Sequence, residues 1–270
     1  PGAAGFFLAR GGLGSILPAG TAMRLFKKLF NFPLAEMDQV EHRLQKRYTV
    51  AADFPLALTV TGAGWTGPGR VLDVAVDGVG FGVDPGLAVK SGQAVQLGFG
   101  LDGCEIPAHG EVRYARPAPE GLLCGVRIQF TNLEARQEYL QLLIALSIGG
   151  SLVPVDPKLV RQGEPGIHKV VLAGESASQL TLWTRPAGST VSPFGFELAV
   201  GDHLVRGRRG GAGLQTFSTG NDLRPQPTKE RATQPGDVTD GELKRLYRYV
   251  VLNLPASQPP AVRRFLQSFA

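Results

Sequence analysis

The chain has 270 residues, 28 basic and 23 acidic side chains, and a net charge of +5. That length holds one large or two ordinary domains, each with a core of its own, and two domains are expected. The charge suits an anionic partner but is too small and too dispersed for a duplex-binding protein, so no nucleic-acid partner is expected; two cysteines are too few for a disulfide framework.

The first 22 residues are rich in Gly and Ala and sustain neither helical nor strand periodicity, which reads as a fragment end or translated upstream sequence, with Met23 as the true start. "MRLFKKLFNF" then sets Leu25, Phe26, Leu29, Phe30 and Phe32 against Arg24, Lys27 and Lys28, predicting a short basic amphipathic helix. It is expected to pack on its own domain or a partner, with peripheral membrane contact through residues 23–32 as the alternative.

From Arg47 onward the apolar pattern has period two. "FPLALTV", "GRVLDVAV", "GVGFGVD", "QAVQLGFGL", "IPAHGEVRYAR" and "LLCGVRIQF" are separated by Gly, Pro, Asp and Ser, predicting six antiparallel strands curled into a small barrel. Cys104 stands two residues ahead of the fifth run and Cys124 falls in the sixth; both read as small buried hydrophobes, with a cross-strand pair open to them. "LEARQEYLQLLIALSI" changes the period: Thr131 and Asn132 can cap a helix whose broad apolar face carries Leu133, Tyr139, Leu140, Leu143, Ile144 and Leu146 across one end of the barrel. Gly149 and Gly150 are expected to stop it, and the apolar run around them is too short to span a membrane.

The Pro- and Gly-rich "GSLVPVDPKLVRQGEPG" predicts a domain boundary. Strand-like runs follow ("HKVVLAG", "SQLTLWTR", "FGFELAVG", "HLVRGRR", "LQTFSTG"), then a helix from about Thr239 and a final short one from the proline pair near Pro260. The fold class is therefore mainly β, α+β overall, with an extension over 1–37, a barrel domain over 38–150 and a smaller α+β domain over 151–270.

Ahead of the first barrel strand, "HRLQKR" crowds Arg43, Lys46 and Arg47 together with no carboxylate between them, which by itself reads as a solvated charged face. Arg43 and Arg47 are four apart, and "LDVAVDG" follows at the second strand and its turn. Together these resemble the PilZ domain, whose signature is R-x-x-x-R followed by [D/N]-x-S-x-x-G; here the matching residues are Arg43, Arg47, Asp73 and Gly78. "RYTVAADFPLAL" and "GEVRYARPAPEGLLCGVRIQF" are similar to the family's arginine-to-strand passage and closing hairpin, so the resemblance covers about Val40 to Leu146. Ala75 stands where the family carries serine, and the missing hydroxyl would weaken ligand binding by about 1 kcal/mol, or up to about 3 if a buried acceptor is left bare.

The resemblance implies a six-stranded barrel and a receptor for cyclic di-GMP, cytoplasmic and without catalytic activity, acting through a protein partner on motility, adhesion or exopolysaccharide production. The alternative is a degenerate PilZ-like adaptor that binds proteins only. Guanidinium forks match guanine O6 and N7 and phosphate oxygens, so Arg43 and Arg47 would fold over the ligand from a flexible lead-in. Asp73 would accept from a guanine edge, Gly78 would let the backbone turn closely beneath it, and Ala75 takes the motif serine's place at the site; His42 and Lys46 are additional candidates. No cofactor or metal is expected: His42, His109, His168 and His203 are scattered, and no G-x-S-x-G elbow occurs. "GRRGGAG" around Gly210 lacks the P-loop Lys-Ser/Thr and reads as a loop between strands, with a second anion patch as the alternative. Trp65 and Trp183 are expected to be partly buried.

Overall fold

The computed structural model describes residues 25–27, 29–30, 36–44, 46–163, 165–187, 190–218 and 240–270. All of the Gly/Ala-rich start and much of the expected basic helix lie outside them. The described residues of that segment, 25–27, 29 and 30, form bends and turns, and the first helix among the described residues is α1 (Met37–Arg43). The apolar spacing of the basic segment serves burial instead. Leu25 and Phe26 are 0% and 1% exposed, and Gln141 holds their backbone by donating to the Phe26 and Phe30 carbonyls and accepting from the Phe26 N–H.

The barrel strands are β2 (Ala57–Gly62), β3 (Trp65–Ala75), β4 (Gly78–Val83), β5 (Ala94–Leu101), β6 (Cys104–Ala118) and β7 (Gly121–Gln129). They run in the order β3-β2-β5-β6-β7-β4, and β4 pairs back onto β3, so the sheet closes with six antiparallel strands and no free edge among them. Inward residues such as Val60, Phe81, Phe99, Ile106 and Val112 are fully buried, as the period-two pattern requires. A seventh strand, β1 (Tyr48–Thr49), takes the edge of β3 that β2 leaves free, with Thr49 opposite Asp73. Cys104 lies opposite Leu101 and Cys124 opposite Ala115; both remain buried free thiols, because the β6–β7 register keeps them apart.

The helix after the barrel, α2 (Leu133–Ser151), begins where Asn132 accepts from the Ala135 N–H at 2.7 Å. It does not stop at the glycines, and Leu133 lies 43% exposed at its first turn. Gly149 remains helical because a neighbour needs the space: a Cβ there would meet the Val250 carbonyl oxygen at 2.6 Å. That neighbour is α3 (Asp240–Leu252), and its presence turns the expected single apolar face into burial on all sides of the last turns of α2.

The remaining strands, β8 (Val153–Pro154), β9 (His168–Ala173), β10 (Ser178–Ala187), β11 (Thr190–Val200), β12 (His203–Arg208) and β13 (Gln215–Ser218), form a second antiparallel sheet of six strands in sequential order. One face, carrying Leu180, Leu182, Phe196 and Leu198, packs beneath α3 and α4 (Pro260–Gln267). Phe196 stacks on Tyr247 with centroids 4.8 Å apart, and the Tyr247 hydroxyl donates to the Leu266 carbonyl. The hairpin tip at Asp102, in the left-handed region at φ 50°, accepts from both Arg248 and Tyr249, joining α3 to the barrel. No helix among the described residues is long and apolar enough to cross a membrane.

Candidate functional site

Asp73 reaches the outside of the barrel because of an irregularity in β3. Strict alternation from buried Val71 would point Asp73 inward. The register of β3 on β4 shifts between Val71 and Asp73, a bulge that turns Leu72 and Asp73 outward together and returns Val74 to the core. Asp73 then has Thr49 of β1 on one side and Gly80 of β4 on the other. Gly80 supplies the space its carboxylate occupies: a Cβ there would lie 2.7 Å from Oδ2 and 2.9 Å from Oδ1.

Arg47 immediately precedes β1, whose pairing with β3 sets it beside Asp73. Its Nη1 donates to Asp73 Oδ1 in an ion pair, and its Nη2 lies above Gly78, 3.6 Å from where a Cβ would be. The Arg47 side chain is 55% exposed and that of Asp73 32%, so the pair contributes about 0–1 kcal/mol to stability. Its effect is positional: an acceptor and a guanidinium fork stand together at the barrel lip.

Beneath them, Tyr139 of α2 donates its hydroxyl towards the Ala75 carbonyl at 3.0 Å and the Gly78 carbonyl at 3.4 Å, holding both ends of the β3–β4 turn. Burial first, and then the charges of Asp73 and Asp77, push the Tyr139 hydroxyl far above its ordinary range, so it remains a donor. Ala75 is 6% exposed and pairs with Gly78 across the hairpin.

The structure thus brings Arg47, Asp73 and Gly78 together. Arg43 does not sit on an irregular lead-in: it is the last residue of α1, exposed beside His42, on a helix held to α2 by an Arg136–Glu41 ion pair at 2.5 Å. Among the described residues the Arg43 side chain has no hydrogen bond or ion pair. Lys46 turns away from Asp73 and donates to Glu175 at 2.7 Å, in the turn between β9 and β10. Tyr48 also approaches Glu175, at 3.3 Å; burial first, and then the Glu175 charge and hydrogen bond, push its hydroxyl up to about 12.

Lys46, Arg47 and Thr49 border a cavity of about 660 Å³ between β1 and the ends of α2 and α3, closed on the far side by Asn253 and Arg263. Asn253 spans the seam, accepting from the Ala51 N–H and donating to the Leu146 carbonyl, both at 3.0 Å. The Arg263 Nε is buried there with no hydrogen-bond partner. Sequence reasoning missed Gly80, Tyr139, Asn253 and Arg263. Only Gly80 carried a signal, as one of the alternating glycines opposite the aspartate.

No group of three or more His, Cys, Asp or Glu able to hold a metal ion occurs among the described residues. No curated protein matches the chain. Among solved structures it is similar to the Bacillus subtilis inhibitor of motility MotI/DgrA, at 16% identity and a TM-score of 0.31, over 36% of this chain and 47% of that one. The chain therefore spans about half the length of that protein. It is also similar to the Borreliella burgdorferi PlzA protein in complex with c-di-GMP, at 8% identity and a TM-score of 0.32, over 64% of this chain and 81% of that one. The PilZ domain model matches residues 41–165, a span that holds the arginine pair, the closed barrel and α2. This chain carries a PilZ domain across residues 41–165.

Proposed function

We propose that the chain is a non-enzymatic receptor for cyclic di-GMP, read at the barrel lip by Arg47, Asp73 and Gly78 and completed by Arg43. The observation that carries this reading is the placement of the Arg47 guanidinium on the Asp73 carboxylate above Gly78. A guanine docked there finds an acceptor for its N1–H or N2–H₂ in Asp73 and a planar fork for its O6 and N7, or for a phosphate, in Arg47. The half-exposed ion pair opens at a cost of no more than about 1 kcal/mol, so it offers little resistance to the ligand. Arg43, whose side chain has no partner among the described residues to give up, supplies the second fork when the end of α1 turns towards the lip.

The output runs through the neighbours of Arg47. Moving the arginine arm displaces Lys46 and Tyr48, which hold Glu175 on the second sheet, and the strand whose following N–H is held by Asn253 of the C-terminal unit. Residues 38–150 then act as the receptor and 151–270 as the surface that a protein partner reads, in motility, adhesion or exopolysaccharide control, with a cytoplasmic location. The buried Ala75, standing where the family has serine, favours one other reading, an adaptor that has lost the ligand and keeps the scaffold.

Isothermal titration separates the two. Micromolar or tighter binding of cyclic di-GMP, weakened at least about tenfold by Arg47→Ala and by Arg43→Ala, supports the receptor. No heat from the unaltered chain at high micromolar ligand overturns it in favour of the adaptor.

A further inference from the structure

The second sheet has a face turned away from α3 and α4, and it is rich in cationic and aromatic side chains. The register aligns Lys169, Trp183, Gly195 and Arg208 in one row across β9, β10, β11 and β12, with Arg206 two residues along from Arg208 and Arg185 two along from Trp183. At the centre of the row Gly195 has no side chain, and the sheet dips into a cavity of about 770 Å³. Arg161 and Gln162 wall one side, and Gln162 is fixed there by accepting from the Lys169 N–H at 2.8 Å and donating to the Lys169 carbonyl at 3.1 Å. A register shift between Trp183 and Thr184 leaves Phe194 without a partner on β10, and it lines the cavity with the Arg185 guanidinium 4.4 Å from its ring centroid.

Five cationic side chains line this space, and one of them, Arg206, is neutralised by Glu197 at 2.5 Å. Among the described residues, Arg161, Lys169, Arg185 and Arg208 are paired with no carboxylate. Four like charges around one hollow repel each other, and a ligand with several negative charges relieves that repulsion. Trp183 and Phe194 add flat aromatic faces, with guanidinium planes already stacked on Phe194, and such surfaces take a heteroaromatic ring. The volume exceeds what a lone phosphate fills and falls in the range of small-molecule sites.

We propose that this cavity is a second ligand site, for a nucleotide: its phosphates held by Arg161, Lys169, Arg185 and Arg208, and its base lying against Trp183 or Phe194. The Arg161–Gln162 segment bounds one side of the cavity, and its volume suits one nucleotide better than a strand.

Trp65→Phe leaves Trp183 as the only tryptophan, and its fluorescence reads the site directly. Titration with ATP or GTP is expected to quench it saturably at micromolar to sub-millimolar concentration, and more weakly as salt rises. Arg185→Glu and Arg208→Glu, both at exposed positions and checked for folding by circular dichroism, are each expected to weaken binding about tenfold or more. Three results overturn the proposal: no quenching up to millimolar nucleotide; pyrophosphate binding as tightly as ATP, which removes the base from the recognition; or affinity for oligothymidylates that climbs with their length, which makes the face a nucleic-acid track.

Discussion

Gly80→Ala tests whether the Asp73 carboxylate is positioned for a ligand or merely solvated. The new methyl would stand 2.7 Å from Oδ2, so the carboxylate must retreat by roughly 0.7 Å to reach the 3.4 Å of ordinary contact. It is the far end of a half-exposed side chain and moves at little cost, and Arg47 can follow it, so stability changes by about 1 kcal/mol or less. A guanine edge fixed by the barrel cannot follow. A hydrogen bond to a charged acceptor contributes about 1.5–3 kcal/mol, and at about 1.4 kcal/mol per decade its loss weakens cyclic di-GMP binding roughly tenfold to a hundredfold. Calorimetric titration gives the affinity and a thermal melt of the same sample gives the stability. A melting temperature held within a few degrees alongside the weaker binding is the expected result. Unchanged affinity would refute the role given to Asp73, and a collapse of stability would show that Gly80 serves the barrel rather than the lip.

Neighbouring glycines in α2 should respond with opposite sign. Gly149→Ala drives a methyl to 2.6 Å from the Val250 backbone oxygen, which overrides the helix-propensity gain and destabilises by about 1–3 kcal/mol, whereas Gly150→Ala meets only Asn253 Nδ2 at 3.6 Å and should be neutral or stabilising by up to about 1 kcal/mol; denaturant midpoints of the two variants check the pair. The thiol of Cys104 is pushed up to about 12, by burial first and then by the Glu138 carboxylate, and burial also raises that of Cys124, so a thiol reagent at about pH 8 should label neither until the chain unfolds. Together with Tyr48, these groups keep their protons more firmly in the fold than out of it. The stability they contribute is complete below about pH 9 and is lost as pH climbs towards 12, so denaturant midpoints should fall across that window.

The barrel was legible because its physics is local: period-two burial with glycine and proline between runs marks each of β2 to β7, and Asn132 announces α2. What the sequence concealed depends on distant partners. Nothing near Gly149 reveals that a helix a hundred residues later will need its missing side chain. The basic Leu25–Phe30 segment has helical spacing, yet its apolar residues serve a core that α2 and α3 build between them. At the site, R-x-x-x-R and the aspartate turn were readable as a motif, while the bulge that aims Asp73 outward was not, because a bulge is a property of two strands in register. Arg43 was expected on an irregular approach, and its place on α1 follows from the burial of Met37 and Val40 and the Arg136–Glu41 pair.

The all-round burial of α2 bears on how a signal could leave the barrel. A receptor joined to its output by a tether transmits by changing distance, and the two parts can be cut apart and studied singly. Here one rod packs against both the barrel and α3, so under the proposed reading a strain of a few tenths of an ångström at the lip would reach α3 as sliding of tightly meshed side chains. Severing the chain after that rod would bare to water the side of α2 that meets α3 at Gly149, and the severed barrel should clump rather than report the behaviour of the whole.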